Sequence, residues 1–467
     1  MKTGLFLAVL AMAAVGAMAL AGAGSAAKPS SSGVTAVPRA ASNHFGARLV
    51  RQVGARNYAG PNCPGRGWNC TTATRVLQIA TGGGQNVATC TGGTLVILAP
   101  NTTCTFTQSG SVNTATCTER STDPAAVQDC MITQTGTQNY AFVNQSINQS
   151  DTSPASPQSG LQTAEVAQGP AAGGSTSANE LHLNQAANQS LKLGNPQTQD
   201  AHQAAVVSQT ATGTGYNLSQ VNQTQLQKAS GGTTQLQNAT YDQSADCDFG
   251  FPHAPNECAT VSQFGDTGTN QNHFVQSINQ DANTAAANAT QTQGNSEGGI
   301  MGRVHQETTL GGTGTSSNGV NENKNQHESA PAGAIQTQND PVSCCGFASQ
   351  LGGTGNTENI GQSSSLAATQ PDADQFSFLQ GTSHSPDGSC VITQKAKINI
   401  DTTSNSDTES PCPFLTLTTF CTSVGGDAST QQVIGPGCEA VPADLNPPPE
   451  CFECTFDGPL LAFLPRG

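Results

Sequence analysis

Residues that could carry redox, metal or acid–base chemistry are few in this chain and lie far apart. Cys451 and Cys454 form one Cys-x-x-Cys motif, which could act as a redox pair or as half of a metal site. Because no second motif or matching histidine completes it, we predict a structural disulfide there. Asp372 and Asp374 could act as a carboxylate pair, but the adjacent proline favours a solvated loop. With no zinc-binding histidine motif, nucleophile elbow or phosphate-binding loop in the sequence, we predict no enzymatic activity, no metal and no cofactor.

The side chains that recur at regular spacing are amides. Asn86, Asn113 and Asn139 follow one another at intervals of 27 and 26 residues. The residues two and four positions later keep the same intervals: Ala88, Ala115 and Ala141, then Cys90, Cys117 and Val143. Three positions that share one period indicate a structural repeat, in which each unit contributes one layer to a stack.

Each repeat unit has the pattern of two short strands joined by a glycine-containing turn. Since side chains alternate along a strand, Asn139, Ala141 and Gln145 share one face after the turn. Gln134 lies on the matching face before it, and Gly136 lies in the turn, where we expect the positive φ that glycine accepts. The two faces then fold toward each other as a β-arch. We predict an all-β fold, a right- or left-handed β-solenoid of stacked strand–turn–strand arches with Cys-rich ends and long Gln/Asn/Ser-rich irregular segments.

Stacking explains why the interior of such an arch is polar. A buried amide without a partner costs about 1–3 kcal/mol. When an identical residue occupies the same place in the next arch, about 4.7–4.8 Å away, each amide donates to its equivalent along the stack. The predicted structural ladder comprises Gln78, Asn86, Ala88, Gln108, Gly110, Asn113, Ala115, Gln134, Gly136, Asn139, Ala141 and Gln145.

The start of the chain predicts export. Lys2 precedes an apolar run over residues 5–20 and small residues up to 27, which is the pattern of a secretory signal peptide. No later stretch is long and apolar enough to span a membrane, so we predict a secreted or cell-surface protein. The predicted divisions are a signal peptide (1–27), a flexible leader (28–60), Cys-containing β-repeats (61–145), degenerate Gln/Asn-rich repeats (146–385) and a Cys/Pro-rich C-terminal module (386–467).

Cysteines in an exported chain indicate disulfides rather than free thiols. Cys90 and Cys117 occupy one repeat position, and Cys104 and Cys130 occupy another. In stacked turns each such pair would lie within disulfide distance. We therefore predict the pairs Cys90–Cys117 and Cys104–Cys130. A bond across one arch would require the two faces of the arch to be pinched together.

The pattern Gln-x-Gly-x-x-Asn-x-Ala-x-x-x-Gln at residues 134–145 resembles the curlin repeat of bacterial curli subunits. Residues 108–117 follow it as well, with Glu119 in the place of the closing glutamine. Degenerate copies begin at the following glutamines: Gln158, Gln209, Gln263 and Gln350. The resemblance implies a secreted subunit of an amyloid-like extracellular fibre that supports adhesion and biofilm matrix, with self-association and cell-surface or matrix partners. Curli subunits are shorter, more regular and without Cys-rich ends.

Composition excludes some functions and leaves two alternatives. With only 16 Lys and Arg and a net charge of -15, the chain has no basic surface for nucleic acid. Hydrophobic residues make up 35% and charged residues 10%, which is too little apolar surface for an ordinary core along the whole chain. One alternative is a secreted β-helical protein that binds glycans or acts on polysaccharides. The other is a disordered Ser/Thr/Asn-rich surface coat.

Overall fold

The structure is a computed structural model that describes part of the chain. Of the predicted divisions, the signal peptide and most of the leader lie outside the described residues, as do Asp372 and the Cys451–Cys454 motif. The described residues are 49–92, 101–151, 157–171, 174, 177–192, 196–242, 261–294, 303–307, 313–340, 346–351, 355–369, 374–385, 390–402, 414–421 and 427–434.

These residues form β-strands, and none of them forms a helix, so the described part contains no helix able to cross a membrane. The strands are β1 (Val50–Ala59), β2 (Asn69–Thr71), β3 (Arg75–Gly92), β4 (Asn101–Ser109), β5 (Val112–Ser121), β6 (Ala125–Thr135), β7 (Gln138–Asp151), β8 (Gln158–Gly169), β9 (Ala178–Leu191), β10 (Gln197–Thr210), β11 (Tyr216–Ser230), β12 (Thr234–Asp242), β13 (Val261–Phe264), β14 (Thr269–Asn283), β15 (Thr290–Gly294), β16 (Arg303–Glu307), β17 (Thr315–Ser329), β18 (Ile335–Asp340), β19 (Gly346–Leu351), β20 (Gly355–Ala368), β21 (Asp374–Ser385), β22 (Cys390–Thr402), β23 (Phe414–Cys421) and β24 (Asp427–Ile434).

All strand pairs among the described residues are parallel, and nearly all strands pair with the second or third strand along the chain instead of the next one. The chain therefore alternates between two layers, and each turn of the chain stacks in register on the turn before it. The first layer contains β1, β3, β5, β7, β9, β11, β14, β17, β20, β22 and β24. The second layer begins with the first halves of β1 and β3 and continues through β4, β6, β8, β10, β12 with β13, β15 with β16, β18 with β19, β21 and β23.

This is an all-β architecture of the β-solenoid or β-helix type, and its layers do not close on themselves. The predicted degenerate Gln/Asn-rich repeats, residues 146–385, contribute strands β8 to β21 to the same two layers. In three successive turns the second layer is interrupted at the same place. Thus β10 pairs with β12 through its first half and with β13 through its second half. The insertions lengthen those turns without changing the register of the strands.

Alternation of side chains produces a narrow polar interior. In β7 the inward residues Asn139, Ala141 and Gln145 are fully buried, while Phe142 and Asn144 on the opposite face are exposed. The same alternation continues along β9, β10 and β17. A period of two over such long strands keeps one face of each strand inside the stack.

The turn glycines of the first arches are required by close packing and not by the positive φ that the sequence predicted. Neither Gly110 nor Gly136 has a positive φ. A Cβ on Gly110 would lie 2.6 Å from the Cβ of Ala80, and one on Gly136 would collide with the carbonyl oxygen of Gly110. Successive turns thus approach too closely for any side chain at this position.

Candidate functional site

The buried face next to the turns carries a continuous ladder of glutamines. Each Nε2 donates to the Oε1 of the glutamine one turn earlier, at 2.7–2.8 Å. The second N–H bonds the opposite strand, as where Gln134 donates to the Tyr140 carbonyl at 2.9 Å. Both hydrogens of each amide are therefore used. The ladder contains Gln52, Gln78, Gln108, Gln134, Gln168, Gln209, Gln263, Gln306 and Gln350.

A ladder of asparagines lies across the arch from it and has the opposite direction. Each Nδ2 donates to the Oδ1 of the asparagine one turn later, at 2.7–2.9 Å. Its second hydrogen bonds a carbonyl near the turn, as in the 3.0 Å bond from Asn113 to Thr135. The members are Asn57, Asn86, Asn113, Asn139, Asn179, Asn217 and Asn270.

Further glutamine ladders lie farther from the turn, and of their members the predicted structural ladder included only Gln145. They all donate toward the N-terminal end of the stack. Their members are Gln145, Gln185, Gln223 and Gln276; Gln149, Gln189, Gln227, Gln280 and Gln326; Gln128, Gln162 and Gln203; Gln158, Gln199, Gln237, Gln293 and Gln338; and Gln197, Gln235, Gln291 and Gln336. A signal was present: glutamines four residues apart recur in β7, β9, β11 and β14.

The residues of the predicted ladder occupy the interior of the first arches. The structure places the predicted glutamines and asparagines in the ladders above, and Ala88, Ala115 and Ala141 between them, at most 1% exposed. Of the degenerate copies, those at Gln209, Gln263 and Gln350 begin with a glutamine of the first ladder, as their match to the repeat pattern requires. Gln158 belongs to a different ladder, because Gln168 is the residue that stacks on Gln134. Small side chains beside the amides keep the two layers close.

The disulfides run across the arch and correct the predicted pairing. Cys90 bonds Cys104 and Cys117 bonds Cys130, with Cα–Cα distances of 6.1 and 6.4 Å. The strands do pair in the predicted register, with Cys90 beside Cys117 and Cys104 beside Cys130. In-register parallel neighbours point their Cβ atoms the same way, however, whereas cysteines of the two layers face each other. The narrow interior brings these facing pairs within bonding distance.

Glu119 occupies a glutamine position of the stack and is fully buried. Its Oε2 accepts a 2.9 Å hydrogen bond from Gln145. Burial, opposed by the Gln145 hydrogen bond and assisted by the charge of Asp129, raises the pKa of the Glu119 carboxyl to about 8. The carboxylate lies within 4.8 Å of the sulfurs of Cys104 and Cys117. Because those sulfurs are held in disulfides, the cluster offers no thiolate ligands for a metal.

A second set of buried ionisable side chains lies in β17, where Glu322 takes the ladder position next to Gln276. Glu322 and Lys324 are at most 3% exposed, and Glu328 is fully buried. Neither carboxyl oxygen of Glu328 has a hydrogen-bond partner among the described residues. Burial raises the pKa of Glu328 to about 9. The carboxyl group of Glu328 is therefore neutral at physiological pH.

The outer face of the first layer carries a shallow groove along the stack. The rings of Phe142 and His182 stack in parallel with their centroids 5.4 Å apart. His182 also contacts the Glu180 carboxylate at 2.8 Å. Beside these rings, Asn184 donates to Asn144 at 3.2 Å, so the groove combines aromatic and amide groups.

Comparison of the chain with protein-family models, with curated proteins and with solved structures gave no match.

Proposed function

We propose that this chain is an extracellular structural protein, a curli-like subunit of a fibre or of a cell-surface adhesion matrix. The observation that carries the proposal is the glutamine ladder, whose links run without a break from Gln52 to Gln350. Along this span each turn presents to the next a glutamine donor, a glutamine acceptor and a strand edge. A stack built from one repeated contact is extended by adding another copy with the same contact.

The disulfides support an oxidising, extracellular location. Three cysteine pairs are bonded in the described residues, and such bonds persist mainly outside the cytosol. The pairs Cys90–Cys104 and Cys117–Cys130 tie the two layers together in successive turns. Covalent ties of this kind suit a protein that functions outside the cell, where no chaperone refolds it.

Fibre formation by the mature chain tests the proposal. We expect fibres in electron micrographs and a meridional X-ray reflection near ~4.7 Å, the spacing of stacked strands. Circular dichroism before and after assembly should show similar β-content, because the subunit is already folded as stacked strands. A protein that keeps this β-content and stays monomeric at high concentration for days would refute the fibre proposal.

The outer groove favours glycan binding as a second candidate function. Phe142 is 38% exposed beside His182, and the acidic Glu180 lies next to them. Aromatic, carboxylate and amide groups together are typical of glycan sites. Co-sedimentation with insoluble polysaccharide should fall for Phe142→Ala and not for Leu236→Ala, which removes an exposed apolar side chain elsewhere. The extensive β-strands of the described residues argue against the other alternative, a disordered Ser/Thr/Asn-rich surface coat.

A further inference from the structure

The first turns of the stack contain basic residues and no acidic ones. The chain has 31 Asp and Glu, and the first of them along the sequence is Glu119. Residues 49–118 contain no lysine and four arginines, which are Arg51, Arg56, Arg66 and Arg75. None of these arginines forms an ion pair with a described residue. The N-terminal end of the stack is therefore positively charged, although the whole chain has a net charge of -15.

The first half of β1 presents Arg51 between two exposed apolar side chains. Leu49, just before the strand, and Val53 share its outer face, because side chains alternate along a strand, and they are 50% and 51% exposed. In the adjoining strand β3, Leu77 pairs with Arg51, and Arg75 lies on the same face two residues earlier. This outer face thus combines guanidinium groups with aliphatic side chains.

The exposed Arg56, three residues beyond Val53, extends this surface toward Trp68, the one tryptophan of the chain. The Arg56 guanidinium lies 5.9 Å from the centre of the Trp68 ring. The Cys63–Cys70 disulfide closes the loop that carries Trp68 and the exposed Arg66. These side chains together form a surface that we call the N-terminal face: Leu49, Arg51, Val53, Arg56, Arg66 and Trp68.

We propose that the N-terminal face docks on a lipid surface that carries anionic headgroups. Arginines next to such a surface are attracted to its negative charge. Aliphatic side chains and tryptophan rings enter the boundary between the headgroups and the acyl chains. An anionic polysaccharide or a nucleic acid would bind the arginines and Trp68, but it would leave Leu49 and Val53 in water. The lipid surface is the partner that uses every group of this face.

The distribution of charge also gives the docked molecule an orientation. All acidic residues of the chain lie from Glu119 onward, in the turns that follow the N-terminal face. An anionic surface attracts the first turns and repels the later ones. The stack therefore stands with its N-terminal end on the surface and its acidic turns pointing away from it.

The proposal rests on the cell-surface location proposed above and not on fibre formation, so the unassembled protein serves for its test. The protein is mixed with vesicles of phosphatidylglycerol and phosphatidylcholine in equal amounts, and with vesicles of phosphatidylcholine alone. Because Trp68 is the one tryptophan, its fluorescence reports on this face directly. We expect the protein to sediment with the anionic vesicles, with Trp68 emission shifted to shorter wavelength, and to stay in solution with the neutral ones.

Substitution of the arginines tests the electrostatic part of the proposal. Arg51→Gln and Arg56→Gln should each weaken binding to the anionic vesicles about fivefold, the ratio expected for one arginine at an anionic membrane surface. Arg120→Gln removes an exposed arginine outside the face and should leave binding unchanged. Equal binding by all three variants and wild type would overturn the proposal.

Substitution of the apolar side chains separates a lipid surface from a hydrophilic polyanion. The double variant Leu49→Ser/Val53→Ser should bind the anionic vesicles about tenfold more weakly, because two aliphatic side chains no longer leave water on docking. Leu236→Ser, at an exposed apolar residue elsewhere, should bind as wild type does. If the double variant binds vesicles like wild type, while DNA or polygalacturonate binds wild type and is lost by Arg56→Gln, the partner is a hydrophilic polyanion and the lipid assignment is wrong.

The outcomes for docking and for the fibre function are distinct. A protein that forms fibres and does not bind anionic vesicles would overturn the docking proposal alone. Vesicle binding with an unchanged Trp68 emission would show that another surface binds, which overturns it as well. A protein that binds as expected and never forms fibres would refute the fibre function and support docking.

Discussion

Replacing Glu119 by glutamine should stabilise the protein and remove part of its pH dependence. In the folded chain the pKa of Glu119 is raised from 4.5 to about 8. Between these values the unfolded state releases the proton and the folded state keeps it, so the free energy of unfolding falls as pH rises. At about 1.4 kcal/mol per pH unit, the loss is roughly 3 kcal/mol by pH 7 and roughly 4 kcal/mol by pH 8, where the folded carboxyl is half ionised.

Glu119→Gln avoids this loss because a glutamine amide fits the ladder. Its Oε1 accepts the Gln145 hydrogen bond, and its Nε2 is placed to donate toward the opposite strand as other ladder glutamines do. Urea unfolding at pH 5, 7 and 8.5 measures the effect, as the difference between variant and wild type. Glu180→Gln removes a carboxylate from the outer face and controls for net charge. If wild type and Glu119→Gln lose stability in parallel over this range, the assignment of Glu119 as a buried neutral acid is wrong.

Three further substitutions test the interior. Asn139→Leu breaks two ladder bonds of 2.8 Å and should lower the free energy of unfolding in urea by about 1–3 kcal/mol per unpaired group. Asn144→Leu, on the outer face, should change it by less than about 0.5 kcal/mol. Equal effects of the two substitutions would reject the assigned faces. Gly136→Ala should cost about 1–3 kcal/mol because its Cβ collides with the turn below, and an unchanged thermal midpoint would contradict that packing. Glu328→Gln should flatten the fall in stability between pH 4.5 and about 9, and an unaltered pH profile would show that this carboxyl is not buried as neutral acid.

The period of the first repeats predicted the local structure because these turns have nearly equal lengths. Asn86, Asn113 and Asn139 lie 27 and 26 residues apart and stack directly. After Asn139 the intervals become 40, 38 and 53 residues, so no fixed period aligns the ladder even though its residue types persist. What survives insertion is the hydrogen-bonding requirement of each buried position. At most ladder positions an amide in one turn bonds an amide in the next, whatever length of chain separates them.

The disulfide pairing could not be predicted from spacing alone. Stacking geometry places Cys90 beside Cys117 along the axis, and the sequence shows this neighbour relation. Whether Cys90 reaches Cys104 instead depends on the distance between the layers, which the small residues Ala88 and Ala115 set. The pKa of Glu119 also depends on the distance between the layers, because the burial that raises it is set by how closely they pack. The repeat pattern of the sequence does not give this distance.

The direction of the ladders restricts how copies of this chain associate. All glutamine ladders donate toward the N-terminal end of the stack, and the asparagine ladder donates toward the C-terminal end. If two N-terminal ends met, as in a symmetric dimer, Gln52 donors would face Gln52 donors and Asn57 acceptors would face Asn57 acceptors. Joining an N-terminal end to a C-terminal end avoids this clash, because successive turns that run in one direction present acceptors to donors, as Gln52 does to Gln78 within the stack. A junction of this heterologous kind does not close on two copies and, with translation along a straight stack, extends into a filament.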